Sequence, residues 1–337
     1  MEIEKLHNRK YNYVIFGYGG LYLYSYSDVI GVEGVKFIKY LPTHNYIEKV
    51  IRKIHFSPKI NKYLDLPFKK VWNYSFFQAN FANNKPICFI FFNNWVILNE
   101  EINYTDYLRK KYTNCKLVWF LQDVLAKQYR LYNHKRLNID TIKKKFDLIL
   151  SFDKTDCEKY NLIYHPLVFS SYHGSIKELP HSDVYFLALA KDRLKVILQT
   201  YEVLRDAGLV LDFYLVGVKE EDQKYKDEIH YIQSMSYEEN LQHIIHTNCL
   251  LEIMQKGSTG YTQRGAEAVC FGKKLLTNNT RINEEPFFIS DYISMFSTPE
   301  DIDKDFLKRI PDVPNVDYRY KHNMSPWELL DFIDKKL

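Results

Sequence analysis

The chain repeatedly enters short, unbroken apolar runs that stop at Gly, Asn or Asp: YNYVIFGYGG (11–20), GVKFIKYL (34–41), KPICFIFFNNW (85–95), CKLVWFLQD (115–123) and FDLILSFD (146–153). Runs this short do not cross a membrane, and being apolar at odd and even positions alike they suit strands covered on both faces. Basic amphipathic stretches, YIEKVIRKI (46–54) and YLRKKY (107–112), lie between them and are expected as covering helices. The pattern predicts a parallel sheet wrapped by helices.

Around SSYHGSIKELPHSD (170–183) the pattern gives way to Ser, Gly, Pro and His, which places a domain boundary there. A second set follows. DVYFLALAKDR (183–193) reads as a strand entering a charged loop, KVILQTYEVLRDAG (195–208) as a helix stopped by Gly, and LDFYLVG (211–217) and HYIQSM (230–235) as strands. SYEENLQHIIHTN (236–248) reads as a helix with Ser236 as N-cap and Glu239 three residues on; CLLEIMQ (249–255) is the next strand. The predicted fold class is α/β, two Rossmann-like doubly wound domains facing across a cleft, spanning 1–175 and 176–324, which the 337-residue length accommodates. SPWELLDFIDKKL (325–337) reads as a terminal helix after a Ser-Pro start, apolar enough to require burial, with Trp327 as its expected anchor.

Charge divides along the same line. Residues 1–175 hold 26 Lys+Arg and 15 Asp+Glu, a net +11, which leaves −7 for 176–337 in a chain of +4 overall. A basic first half suits an anionic partner, either a phospholipid surface or a nucleic acid; no nucleic-acid motif accompanies the charge, and ordinary solvated helix faces account for it equally well. The five cysteines, Cys88, Cys115, Cys157, Cys249 and Cys270, show no CxxC pair and no His at ligand spacing, so neither a zinc site nor a disulfide framework is expected. YVIFGYGGLYLY lacks the flanks of a signal peptide, and a cytoplasmic location is expected.

The chemistry concentrates in EIMQKGSTGYTQRGAEAVCFGKKLLTNN (252–279). A strand ending at Gln255, a loop KGSTGY and a helix starting near Thr262 would put free backbone N–H groups and a positive helix end at the carboxyl edge of a parallel sheet, where such sheets bind anions. Gly257 and Gly260 would let backbone approach a phosphate, Thr259 and Thr262 would offer hydroxyls, and Arg264 would fork two phosphate oxygens. Glu267 shares a helix face with Arg264, where it would accept hydrogen bonds from a ribose diol or form a solvated ion pair. Lys191 and Arg193, directly after the first strand of the second half, would add cations for a diphosphate, or form a plain surface turn.

The stretches DVYFLALAKDR with DFYLVG, TNCLLEIMQKGSTGYTQRGAEAVCFGKKLLTNN, and DLILSFDKTDCEKYNLIYHPLVF (147–169) together resemble the GT-B superfamily of glycosyltransferases, and more narrowly the bacterial enzymes of lipopolysaccharide, capsule and other surface-polysaccharide assembly. The resemblance implies a UDP- or GDP-linked sugar held in the C-terminal domain as substrate, with no further cofactor, and a glycan or lipid-linked oligosaccharide acceptor on the N-terminal side. By it Glu267 binds the donor ribose, and Lys191, Arg193, Thr262 and Arg264 face the diphosphate. It also implies a last helix that crosses back onto the N-terminal domain. With the basic first half pressed against anionic phospholipid to reach a lipid-linked acceptor, a location at the inner face of the membrane is expected. Many retaining members carry two glutamates eight positions apart; position 259 is Thr, so stereochemistry stays open.

No DxD-type metal signal ends a strand, and departure of the diphosphate is expected without a metal. Asp123, delivered by VWFLQD, is the first candidate for the base that deprotonates the acceptor, ahead of Asp28 and Asp65; it serves equally well as N-cap of VLAKQYRLY. FGYGG, with Gly17, Gly19 and Gly20, lacks the full dinucleotide fingerprint and would face the acceptor or the transferred sugar. The competing readings are a nucleotide-dependent oxidoreductase and a non-catalytic partner that binds nucleotide sugar or glycan.

Overall fold

In a computed structural model of the chain the apolar runs become strands of parallel sheets. The structure describes residues 9–17, 20–39, 45–61, 63–64, 66–69, 71–72, 80–93, 104–125, 139–255, 260–312 and 315–337. Two compact units emerge, Met1–Val168 with Pro326–Leu337, and Phe169–Ser325.

The first unit is built on β1 (Asn12–Phe16), β2 (Val35–Ile38), β3 (Ile87–Phe92), β4 (Lys116–Leu121), β5 (Leu148–Ser151) and β6 (Ile163–Tyr164), ordered β2-β1-β3-β4-β5-β6 with all neighbours parallel. Alternate residues feed two cores. Val14, Phe16, Phe89, Phe91 and Trp119 enter one; Tyr13, Ile15, Ile90, Phe92 and Phe120 enter the other. That second core is closed by the Pro326–Lys336 helix, which begins with Pro at its first position and buries Leu329, Leu330 and Ile333 completely. The Tyr13 hydroxyl donates to Asp334 and lies 3.1 Å from the Leu330 carbonyl, and Arg9 pairs with Asp331 at 2.9 Å. Trp327 is only partly buried, 5.5 Å beneath the Arg9 guanidinium, so the aliphatic triplet, and not this Trp, anchors the helix.

The unit boundary lies at 168/169, seven residues before the expected 175, and the reason is local. Val168 is buried in the first unit's core, whereas the Phe169 amide donates to Met324 of the second unit at 2.8 Å. The Ser and Gly residues that suggested the later boundary already belong to the second unit.

One helix departs from expectation. Tyr46–His55 forms as its pattern predicts, with Asn45 capping the Glu48 amide, but it packs its polar side inward. Arg52 is buried, paired with Glu48 at 3.0 Å and stacked 5.0 Å over Trp72, while Tyr46, Ile47, Val50, Ile51 and Ile54 face out.

The second unit carries β7 (Ser182–Leu189), β8 (Leu211–Val216), β9 (Ile229–Ile232), β10 (Thr247–Glu252), β11 (Lys274–Thr277) and β12 (Ile293–Met295), all parallel and ordered β12-β11-β10-β7-β8-β9. From β7 the chain proceeds outward through β8 and β9, then returns to β10 on the other side. The order therefore reverses between β7 and β10, and a crevice at the carboxyl end of those two strands is where open α/β sheets take ligands. Each unit is Rossmann-like and doubly wound, as predicted, and two such units in one chain are the components of the GT-B fold.

Candidate functional site

At that switch point the second unit has a cavity of about 370 Å³, lined by the ends of β7 and β10, by Ser236, Tyr237 and Asn240, and by Thr262, Arg264 and Glu267. The volume lies within the range of small-molecule sites.

Its wall is organised by the loop and helix that the sequence marks. β10 stops at Glu252 and not at Gln255: Ile253 and Met254 continue the apolar run after the ladder has ended. Glu252 is itself buried. Its Oε1 accepts the Thr262 amide at 3.2 Å and the Thr262 hydroxyl, and its Oε2 accepts the Thr277 hydroxyl at 2.5 Å. Thr262 caps the Gln263–Phe271 helix by accepting the Arg264 amide at 3.0 Å. The hydroxyl proton of Thr262 is thus committed to Glu252, which corrects its expected role as a phosphate donor: it sets the helix start.

Arg264 and Glu267 come together on the first turns of this helix, as their spacing requires. Arg264 Nη1 lies 2.7 Å from Glu267 Oε2; the Glu267 side chain has no exposed surface and that of Arg264 only 13%. The pair is therefore buried, not solvated. Glu267 Oε1 accepts the Tyr237 hydroxyl at 2.9 Å, Gln263 Nε2 at 2.8 Å and Asn240 Nδ2 at 3.4 Å. The Arg264 guanidinium lies 5.3 Å over the Tyr185 ring and within 3.4 Å of Asn240 Oδ1 and the Leu187 carbonyl. Burial and the adjacent carboxylate push the Tyr237 phenol well above its usual pKa, so it stays a donor to Glu267.

The cations after β7 are placed differently from expectation. Arg193 uses Nη2 on the Leu189 carbonyl at 2.5 Å and Nη1 on the Ile253 carbonyl, tying the ends of β7 and β10 together, and burial pulls its pKa down. It lines the cavity as a brace with two of its nitrogens already engaged. Lys191 adopts a left-handed φ of 49° and donates to Gln255 Oε1 at 2.8 Å; it is not among the cavity-lining residues. Gly260 accepts Asn279 Nδ2 through its carbonyl at 3.4 Å. Gly257 and Thr259 lie outside the described residues.

In the first unit Gly17 follows β1, where a Cβ would collide with the Phe37 ring, and Gly20 has φ 68°. A side chain at position 17 would therefore have to displace the Phe37 ring. Gly19 and Asp65 lie outside the described residues, as do residues 126–138, the helix that Asp123 was expected to cap. Asp123 follows β4 and accepts the Val124 amide at 3.1 Å. Beside it, Asp156 accepts the Leu125 amide at 2.7 Å and is raised to a pKa of about 6, chiefly by burial.

Tyr237, Asn240, Gln263 and Glu252 were not singled out from the sequence. Glu252 alone left a signal: it is the one carboxylate inside the apolar run CLLEIMQ (249–255), where a buried charge needs partners.

No protein-family model matches the chain, and no curated protein does. Among solved structures it is similar to an α-glucosyltransferase in complex with UDP-glucose and DNA containing an abasic site, at 11% identity over 96% of this chain and 93% of that one, with a TM-score of 0.48. It is also similar to the glycosyltransferase of kitacinnamycin, at 10% identity over 98% and 100%, with a TM-score of 0.47. A third is a Listeria monocytogenes protein assigned as UDP-N-acetylglucosamine 2-epimerase, at 8% identity over 94% and 91%, with a TM-score of 0.47.

Proposed function

We propose that the protein is a glycosyltransferase that moves a sugar from a nucleoside diphosphate carrier, UDP- or GDP-linked, to a surface-glycan or lipid-linked oligosaccharide acceptor. The observation that carries the reading is Arg264: a cation, mostly buried, held by a fully buried carboxylate in a cavity at the switch point of a parallel sheet, beside the N-terminus of a nine-residue helix. Desolvated positive charge with a helix end behind it is what a diphosphate requires of its site.

In this reading the diphosphate takes Arg264 Nη1 and Nη2, with Lys191 arriving from the edge, and the ribose diol meets Glu267 through Oε2 as Arg264 turns outward. The leaving diphosphate is then stabilised by Arg264 and the helix without a metal. Asp123, with Asp156 next to it, serves as base toward the acceptor hydroxyl. The place of work is the cytoplasmic face of a membrane.

Titration with UDP, GDP and their sugars tests the donor site. In Arg264→Glu, affinity for the preferred nucleoside diphosphate should fall well over tenfold, because a charge-assisted contact contributes ~1.5–3 kcal/mol and reversal adds repulsion. Equal affinity in the folded variant would sink the assignment. Nucleotide-sugar turnover with and without glycan acceptors separates a transferase from a non-catalytic binder.

A further inference from the structure

The Tyr46–His55 helix is oriented against its own polarity. Its inward side carries the Glu48–Arg52 pair, with those side chains only 10% and 8% exposed, and His55, whose Nδ1 accepts Trp72 Nε1 at 2.8 Å. Burial and Lys69 hold the His55 pKa below its usual value, in keeping with a neutral acceptor. Tyr46 and Ile47 are 78% and 69% exposed, and Val50, Ile51 and Ile54 follow on the same side at 38%, 43% and 45%. Helical spacing puts these five within one sector, and Lys49 and Lys53, both exposed, run along its border. Nearby in the chain Leu64 and Phe68 are 58% and 78% exposed, so the apolar surface is not confined to one turn.

A helix that spends its polar side on the protein and presents an apolar face edged with lysines has the design of an interfacial helix, which lies in the headgroup plane of a bilayer. A partner protein could cover the apolar residues, but the lysine border and the +11 net charge of residues 1–175 favour a surface dense in negative charge. We infer that the helix Tyr46–His55 docks the first unit onto anionic phospholipid, with Ile47, Val50, Ile51 and Ile54 entering the acyl boundary and Lys49 and Lys53 meeting the headgroups. The inference deepens the membrane location proposed above, but it uses none of the second unit's residues, so it can fail while the transfer reading holds.

Flotation of the full chain with phosphatidylcholine vesicles, pure or containing phosphatidylglycerol, tests it. Binding should need the anionic lipid and weaken as salt is raised. Ile51→Glu should lower the partition coefficient at least tenfold, and Lys49→Glu with Lys53→Glu by a similar factor, each lysine near such a surface being worth ~1 kcal/mol. Thermal melting of each variant should match the parent, because these side chains are exposed. The inference is overturned by absence of binding, by equal binding to neutral vesicles, or by binding that Ile51→Glu leaves unmoved. It is equally overturned if sedimentation shows a dimer that Ile51→Glu dissolves while vesicle binding persists.

Discussion

Glu267→Gln isolates what the buried pair does. The substitution removes the negative charge 2.7 Å from Arg264 Nη1 and leaves an acceptor for Tyr237, Gln263 and Asn240 at the other oxygen. Removing one partner of a buried ion pair typically costs about 3–5 kcal/mol; here Arg264 keeps 13% exposure and can turn toward solvent, so the expected loss is about 2–3 kcal/mol. For a unit of this size each kcal/mol lowers Tm by about 2–4 °C, so calorimetry should find the second unit's transition roughly 5–10 °C lower. Binding then separates the carboxylate's two tasks. UDP affinity should fall about tenfold as the ribose contact weakens, whereas inorganic pyrophosphate should bind as well as before or better, since Arg264 is released from its counter-charge. A Tm within about 1 °C of the parent would refute the buried pair; parallel loss of UDP and pyrophosphate binding would refute the ribose role.

The remaining expectations concern both units. His165, buried between the rings of Phe120 and Phe332, has its pKa lowered to about 4, so the fold favours its neutral form. Its contribution is present at neutral pH and is lost as pH falls from about 6.5 toward 4, about 3 kcal/mol in all; denaturant melts should show this decline in the parent and a flatter profile in His165→Gln. Leu330→Ala should cost the first unit about 2–5 kcal/mol, read as a lower first-unit transition with nucleotide binding by the second unit retained. Transfer activity should survive EDTA, and restoration of lost activity by Mn²⁺ or Mg²⁺ would show that the cations of the second unit do not suffice.

How far the sequence reveals this molecule depends on the range of each interaction. Caps are short-range, and Ser236 is found where its spacing predicts, accepting the amide of Glu239. The helix start near Thr262 was legible too, though the sequence marks Thr262 as a phosphate ligand and not as the cap that accepts the Arg264 amide. The parallel strands were legible because burial on both faces leaves a continuous apolar run. Their ends were less so: apolar residues 253 and 254 follow the last ladder residue, Glu252, and hydrophobicity does not record where pairing stops. The Arg264–Glu267 contact follows from helical periodicity, but its burial depends on Tyr237 and Asn240, brought in by another helix. In the same way the Tyr46–His55 pattern defines an apolar sector without saying that the opposite side would be chosen for packing. The reason is Trp72, which offers both a ring for Arg52 and an N–H for His55.

The closing helix also bears on how the chain is made. Because Pro326–Leu337 completes a core otherwise formed by residues up to Val168, the second unit is an insertion within the first. A ribosome releases the whole of Phe169–Ser325, able to collapse around its own sheet, before it delivers Leu329, Leu330 and Ile333 to the waiting face of Tyr13, Ile15 and Phe120. The unit that begins first is therefore finished last, and until then the sheet face that Leu329, Leu330 and Ile333 cover stays open on the nascent chain, where transiently exposed apolar surface favours aggregation.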